Sequence, residues 1–109
     1  MRVLVVDPIV RSEISEHAHD EYVRLKPDGL TLGFEALREG PRFIETVEQE
    51  RMAVPDLLRI VQEAERRGYD AVIINCFGDP GLEEARGMVD IPVIGAGESS
   101  YKRVKAMGR

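Results

Sequence analysis

A chain of 109 residues, 43% apolar and 32% charged, has the size of one compact domain and enough apolar material for a core, so a two-domain enzyme and a disordered chain are both excluded. Its net charge of −5 lacks the basic excess that a phosphate backbone recruits, and no nucleic acid is expected as partner. Cys76, the single cysteine, closes no intrachain disulfide, and with two histidines it leaves too few ligands for structural zinc, which suits a reducing cytoplasm.

The apolar start stops at Asp7-Pro8, too short for a signal-peptide core, and no run approaches the roughly 20 apolar residues of a membrane span, so no membrane association is expected. Val3-Leu4-Val5-Val6 is a β-branched-rich run of the kind buried on both faces, and it predicts a central strand. Apolar residues then fall at Val10, Ile14, Ala18, Tyr22 and Leu25, on one helical face, and Pro27-Asp28-Gly29 stops them, predicting a helix over 11–26. Leu30, Leu32 and Phe34 alternate with Thr31 and Gly33, as in a strand at a sheet edge. Residues 35–46 hold Gly40-Pro41 and no clean period, and read as a long connection.

Helical rhythm returns with Val54, Leu57, Leu58, Val61 and Ala64 on one face. This helix is expected to begin near Val47, to kink at Pro55, and to end with Arg66-Arg67 against its dipole and Gly68 as the C′ residue. Residues 71–75 predict a third, buried strand, followed by a short helix with Asp79 as N-cap and Pro80 as its first residue. Ile91-Pro92-Val93-Ile94 reads as a fourth strand, Gly95-Ala96-Gly97 as a tight loop, and Ser99 to Met107 as a last helix. Strands alternating with helices predict an α/β fold of three layers, αβα, around a four-stranded parallel sheet. Ligands of such sheets sit at the carboxyl ends of the strands. Asp7, Asn75-Cys76 and Gly95-Ala96-Gly97 all fall at those ends, so three loops converge on one candidate site.

Cys76 follows a buried strand and precedes a turn into a helix, whose free N–H groups lower a thiol's pKa from about 8.5 and suit a nucleophile or base. A buried structural thiol accounts for the same position. Gly78 and Gly81 permit close backbone approach, and the amides of Phe77 to Asp79 can cradle a carboxylate or a developing enolate oxygen, although a tight turn explains these glycines equally well. Gly95-x-Gly97 after a fourth strand makes no dinucleotide fingerprint, so no cofactor is expected. Asp7 suits a phospho-receiver domain, but such a domain needs an Asp at the end of strand three, where Asn75-Cys76 stands. His17 and His19 diverge by roughly 200° on a helix and cannot share a metal. They read as solvated or half-buried, and no metal is expected. The charge-rich stretches Arg11 to Glu21 and Glu45 to Arg51 read as wet faces.

Asn75-Cys76-Phe77-Gly78-Asp79-Pro80-Gly81-Leu82-Glu83-Glu84-Ala85-Arg86, followed by Ile91-Pro92-Val93-Ile94-Gly95-Ala96-Gly97-Glu98-Ser99-Ser100, resembles the aspartate/glutamate/hydantoin racemase superfamily in its hydantoin-racemase branch. Gly40-Pro41, Ile44-Glu45 and the Ala53-Val54-Pro55 region resemble its middle section, so the likeness spans nearly the whole chain. The resemblance implies one lobe of a racemase fold with strand order 2-1-3-4. It also implies chemistry without cofactor or metal, in which one cysteine thiolate removes the proton next to a carbonyl and a second cysteine, on the opposite face, returns one. On that resemblance Cys76 is the catalytic thiol, Asn75, Phe77, Gly78 and Asp79 form its substrate-binding loop, and Asp7, Ile44, Glu45, Gly97, Glu98 and Ser99 complete the substrate site. The family opens with Asn-Pro-Asn-Thr where this chain has Asp7-Pro8-Ile9-Val10, and a carboxylate in place of an amide loses donors and repels an anionic substrate.

The family's second lobe, with its second cysteine and the helix that closes the first lobe, would follow Gly108-Arg109. Half of the two-cysteine site and the cover of one apolar sheet face are therefore expected to be missing. Two readings stand side by side. One is a cofactor-independent hydantoin or amino-acid racemase acting on a small-molecule substrate, completed by a second lobe or by a homo-oligomer that brings two copies of Cys76 face to face; decarboxylation and cis–trans isomerisation are one-thiol variants of it. The other is a truncated, non-catalytic lobe that binds a small ligand or a partner chain.

Overall fold

The computed structural model describes residues 1–10 and 13–108, without the side chains of residues 13–18, so the expectations for Arg11, Ile14, His17 and Ala18 lie outside the described residues. The elements are β1 (Arg2–Val10), α1 (Glu13–Leu25), β2 (Thr31–Leu37), α2 (Val47–Arg66), β3 (Ala71–Ile74), α3 (Leu82–Arg86), β4 (Val93–Gly95) and α4 (Ala96–Ala106). The strands are parallel throughout, in the order β2-β1-β3-β4, which is the order the resemblance implied.

β1 is longer than the apolar run that announced it. It continues through Asp7-Pro8 to Val10, whose N–H donates to the Pro41 carbonyl at 2.9 Å. Its pairing with β2 shifts register between Asp7 and Val10, and at such a bulge Pro8 costs no ladder hydrogen bond. β2 is the edge strand, as its alternation predicts, but it runs on to Leu37, so the expected long connection begins only at Arg38. The buried Leu37 gives those three extra residues an anchor that no period of two revealed.

α2 begins where expected, because Thr46 and Gln49 form a reciprocal capping box: Gln49 N–H donates to Thr46 Oγ1 at 3.2 Å and Thr46 N–H to Gln49 Oε1 at 3.0 Å. It continues as one helix past Pro55. Its buried face is Ala53, Leu57, Ile60, Val61 and Ala64, slightly rotated from the face read in the sequence, with Leu58 packed at its margin. Gly68 is the C′ residue at φ +85°, and the N–H groups of Gly68 and Tyr69 donate to the carbonyls of Glu65 and Ala64, closing a Schellman motif.

Alternation sorts the sheet residues onto two faces. Leu4, Val6, Val72, Ile74 and Val93 join α2 and the Leu82 and Ala85 side chains of α3 in one core. Val5 lies in register with Phe34 and Ile73, and Ile73 with Ile94, on the other face, where α1 stacks His19 on Phe34. This second face is partly open: Ile94 is 37% exposed, α4 buries none of its residues, and Leu25, expected on the core side of α1, is 74% exposed. Val5 on the same face is nevertheless 0% exposed, so the uncovered apolar face expected from the resemblance is present only in part among the described residues.

The second half departs from its expected boundaries in one informative place. α3 starts at Leu82, after Gly81 at φ +68°, and carries no side-chain cap; Asp79 and Pro80 precede it instead of opening it. Asp79 adopts φ +48° and spends its carboxylate on α4, a longer helix with more to gain. The segment Gly95-Ala96-Gly97 is correspondingly not a loop, since α4 begins at Ala96.

Candidate functional site

β1 and β3 lie side by side with Val6 opposite Ile74, so the residues that follow, Asp7 and Asn75, meet at the carboxyl end of the sheet. Asn75 Nδ2 donates to Asp7 Oδ1 at 2.9 Å, and Asn75 N–H donates to the Val6 carbonyl at 2.9 Å. Asp7 is 3% exposed, and a buried carboxylate needs partners for both oxygens. Its Oδ2 lies 2.6 Å from His19 Nε2 of α1. Tyr22 of α1 donates its hydroxyl to Asn75 Oδ1 at 3.1 Å. Burial first, and then the charge of Asp7, hold the Tyr22 phenol above its ordinary pKa, so it remains a donor. Asp7 therefore spends its oxygens on Asn75 and His19, which tempers the repulsion of an anionic substrate expected from it.

Cys76 is half-buried and borders two hollows. One, of about 360 Å³, is walled by Asp7, Pro8 and Ile9 of the β1 bulge, by Asn75, and by Arg42, Phe43 and Ile44 of the connection to α2. The other, of about 430 Å³, opens toward the exposed sheet face between Tyr22, Ile73, Phe77, Ile94, Ala96 and Ser99. A larger groove of about 500 Å³ along α1 shares Tyr22, Ile73 and Asn75 but does not reach the thiol. The loop that carries Cys76 is closed by the Asp79 N–H donating to the Cys76 carbonyl at 3.0 Å. No described residue accepts a hydrogen bond from the Phe77 or Gly78 amides. A Cβ on Gly78 would run into the Glu50 carboxylate of α2 and stand 4.0 Å from Cys76 Sγ, so glycine here lets α2 and the thiol loop close up.

The start of α4 closes the site from the other side. Asp79 accepts from the Gly97 and Glu98 amides at 2.8 and 2.7 Å, satisfying N–H groups that the side-chain-free Gly95 cannot cap. A Cβ on Gly97 would strike the Phe77 carbonyl, and one on Gly95 would come within 2.7 Å of Asp79 Cγ. Both glycines thus serve the approach of α4 to the Cys76 loop. Glu98 forms a forked pair with Arg86, at 2.9 and 2.7 Å, which holds its carboxyl at about 2; Arg86 also donates to the Val93 carbonyl at 3.1 Å. Among the described residues no group of three His, Cys, Asp or Glu side chains could hold a metal ion, and no helix is long and apolar enough to cross a membrane.

A sequence profile described as Asp/Glu/Hydantoin racemase matches residues 11–109. The chain belongs to the Asp/Glu/hydantoin racemase family. Hydantoin racemase from Paenarthrobacter aurescens is 35% identical over 101 residues, which cover 92% of this chain and 43% of that protein. A hydantoin racemase from a Pseudomonas species is 32% identical over 92% of this chain and 40% of its own length. Among solved structures, allantoin racemase from Klebsiella pneumoniae superposes with a TM-score of 0.83 at 28% identity, over 87% of this chain and 39% of that one. The chain therefore spans less than half the length of the relatives it matches.

In this racemase-family chain the site residues expected from the sequence fall into two groups, with Glu45 outside both. Asp7, Asn75, Cys76, Phe77, Ile44 and Ser99 line the two hollows beside the thiol. Gly78 packs against Glu50 of α2, while Asp79, Gly97 and Glu98 are occupied in holding α4. Glu45 is exposed and lines neither hollow; its N–H donates to Gln49 Oε1 at 2.6 Å, which ties it to the α2 cap. Arg42, Phe43, Glu50, His19 and Tyr22 were missed. The sequence reads His19 as solvated or half-buried, and it is half-buried, but its partner Asp7 lies twelve residues away with no local pattern to join them. The i, i+3 spacing of His19 and Tyr22 on one helix was the only available signal.

Proposed function

We propose that this chain supplies one half of a cofactor-independent racemase site, with Cys76 as a proton-transfer thiol acting on the carbon next to a carbonyl in a hydantoin-like or amino-acid-like small molecule. The observation that carries this reading is the position of the single cysteine, half-buried at the end of β3 and bordering two hollows, in a family fold shared with hydantoin and allantoin racemases. The thiolate takes the proton, and the enolate-like oxygen that develops is met by amide donors, for which Phe77 and Gly78 are the candidates. Asp7, Asn75, Ile44 and Ser99 bound the substrate, and Gly78, Asp79, Gly97 and Glu98 hold the loop that presents the thiol. A thiol that must stay reduced suits a reducing cytoplasm.

Racemisation needs a second base on the opposite face of the carbanion, and this chain has one cysteine. A second lobe, or a second copy related by two-fold symmetry, would bring it. That same single cysteine, together with a span of less than half the matched relatives, favours a second reading, a ligand-binding lobe without turnover. The test is deuterium exchange at C5 of both enantiomers of an aromatic 5-substituted hydantoin in D₂O, followed by NMR. Exchange of both enantiomers, lowered at least about 100-fold in Cys76→Ser, is the expected result and shows that a second base is present. Exchange of one enantiomer reports a single working thiol. No exchange above the protein-free control supports the binding lobe.

A further inference from the structure

The hydrogen-bonded chain from α1 to the Cys76 loop carries an inference of its own, which rests on Cys76 being the reacting thiol. We propose that His19 and Tyr22 are positioning residues. Acting through Asp7 and Asn75, they fix the residue immediately before Cys76 and so hold the thiol at the border of its two hollows. Asn75 carries an amide whose two ends differ chemically, so it takes one orientation only when a donor meets its oxygen and an acceptor meets its nitrogen. Both are supplied: the Tyr22 hydroxyl reaches Oδ1 at 3.1 Å, and Asp7 Oδ1 receives Nδ2 at 2.9 Å. Asp7 is in turn held at 2.6 Å by His19, whose ring is fixed by stacking on Phe34 at 4.2 Å.

Three elements, α1, β1 and β3, thus converge on one side chain. The backbone bonds of Cys76 itself are local, its N–H to Ile74 and its carbonyl from Asp79, so they shape the turn without tying it to α1. The side-chain network makes that tie, and a part-buried network anchored on the buried Asp7 is of the kind that rigidifies a site.

The test uses the intact chain and two measurements that need no turnover: the rate of Cys76 alkylation by iodoacetamide, and the backbone-amide NMR shifts of residues 76–79. Tyr22→Phe removes one hydroxyl and keeps the ring. His19→Gln and His19→Leu both remove the stacking, but only Gln keeps a donor for Asp7. Tyr22→Phe and His19→Leu are expected to speed alkylation about fivefold, the effect of one lost hydrogen bond, and to shift the loop amides, with His19→Gln nearer the parent. Where the parent exchanges hydantoin, kcat falls by a similar factor and KM stays. Unmoved alkylation and shifts in Tyr22→Phe, or equal effects of Gln and Leu at position 19, overturn the proposal. A parent chain without exchange defeats the racemase reading alone, because the alkylation rates and shifts still decide the positioning.

Discussion

The two faces of the sheet are made from the same kinds of apolar residue and are covered to different extents. Leu4, Val6, Val72, Ile74 and Val93 are sealed under α2 and α3, none more than 5% exposed, whereas on the other face Val5 is sealed but Ile94 is 37% exposed beside α4, none of whose own residues is buried. The sealed face is held by packing and therefore supplies stability. The open face is held at its α4 margin by polar ties from Asp79 and Arg86, and the candidate site lies along that margin. The candidate site thus sits where hydrophobic packing is less complete, as ligand hollows generally do.

The sharpest way to break this contrast is a matched pair of truncations. Leu57→Ala, at 0% exposure in the sealed core, is expected to cost roughly 2–5 kcal/mol in urea denaturation, whereas Leu25→Ala, 74% exposed, should stay within about 0.5 kcal/mol. Comparable losses would mean that the second face is covered in solution. Next in size is the cap. Asp79→Ala removes the acceptor for two α4 amides and should cost about 1–2 kcal/mol, with the loss of amide hydrogen-exchange protection concentrated in 96–106 instead of α2. Uniform loss of protection would deny α4 its separate footing.

The smallest expected effect is on pH. Glu98 is depressed from 4.5 to about 2 by Arg86, so the stability this pair gives is present above 4.5 and is lost as the pH falls toward 2, when the carboxylate takes up its proton. Glu98→Gln should therefore flatten the acid limb of the stability curve in that window and lower stability at neutral pH by the same small amount, small because the pair is exposed. A slope equal to the parent's between pH 4.5 and 2 would place the acid sensitivity elsewhere.

Much of the fold was legible because its signals are local. The Val3–Val6 and 71–75 runs, the α2 period with its Gly68 stop, and the Cys76-Phe77-Gly78-Asp79-Pro80-Gly81 segment each carry their information within a few consecutive residues. Boundaries failed where a neighbour decided them. β1 passed Pro8 because a bulge absorbed it, and Asp79 left the helix it precedes to cap one that begins seventeen residues later. Sequence alone therefore determined the α/β class and the family, since periodicity and short motifs report a residue's near neighbours. Only the tertiary structure decided that Asp7, His19, Asn75 and Tyr22 form one network, that Gly97 makes room for a carbonyl, and that one sheet face stays open. Those facts depend on which distant segments come to share a buried space, and there each desolvated polar group must find its partner wherever the fold brings one.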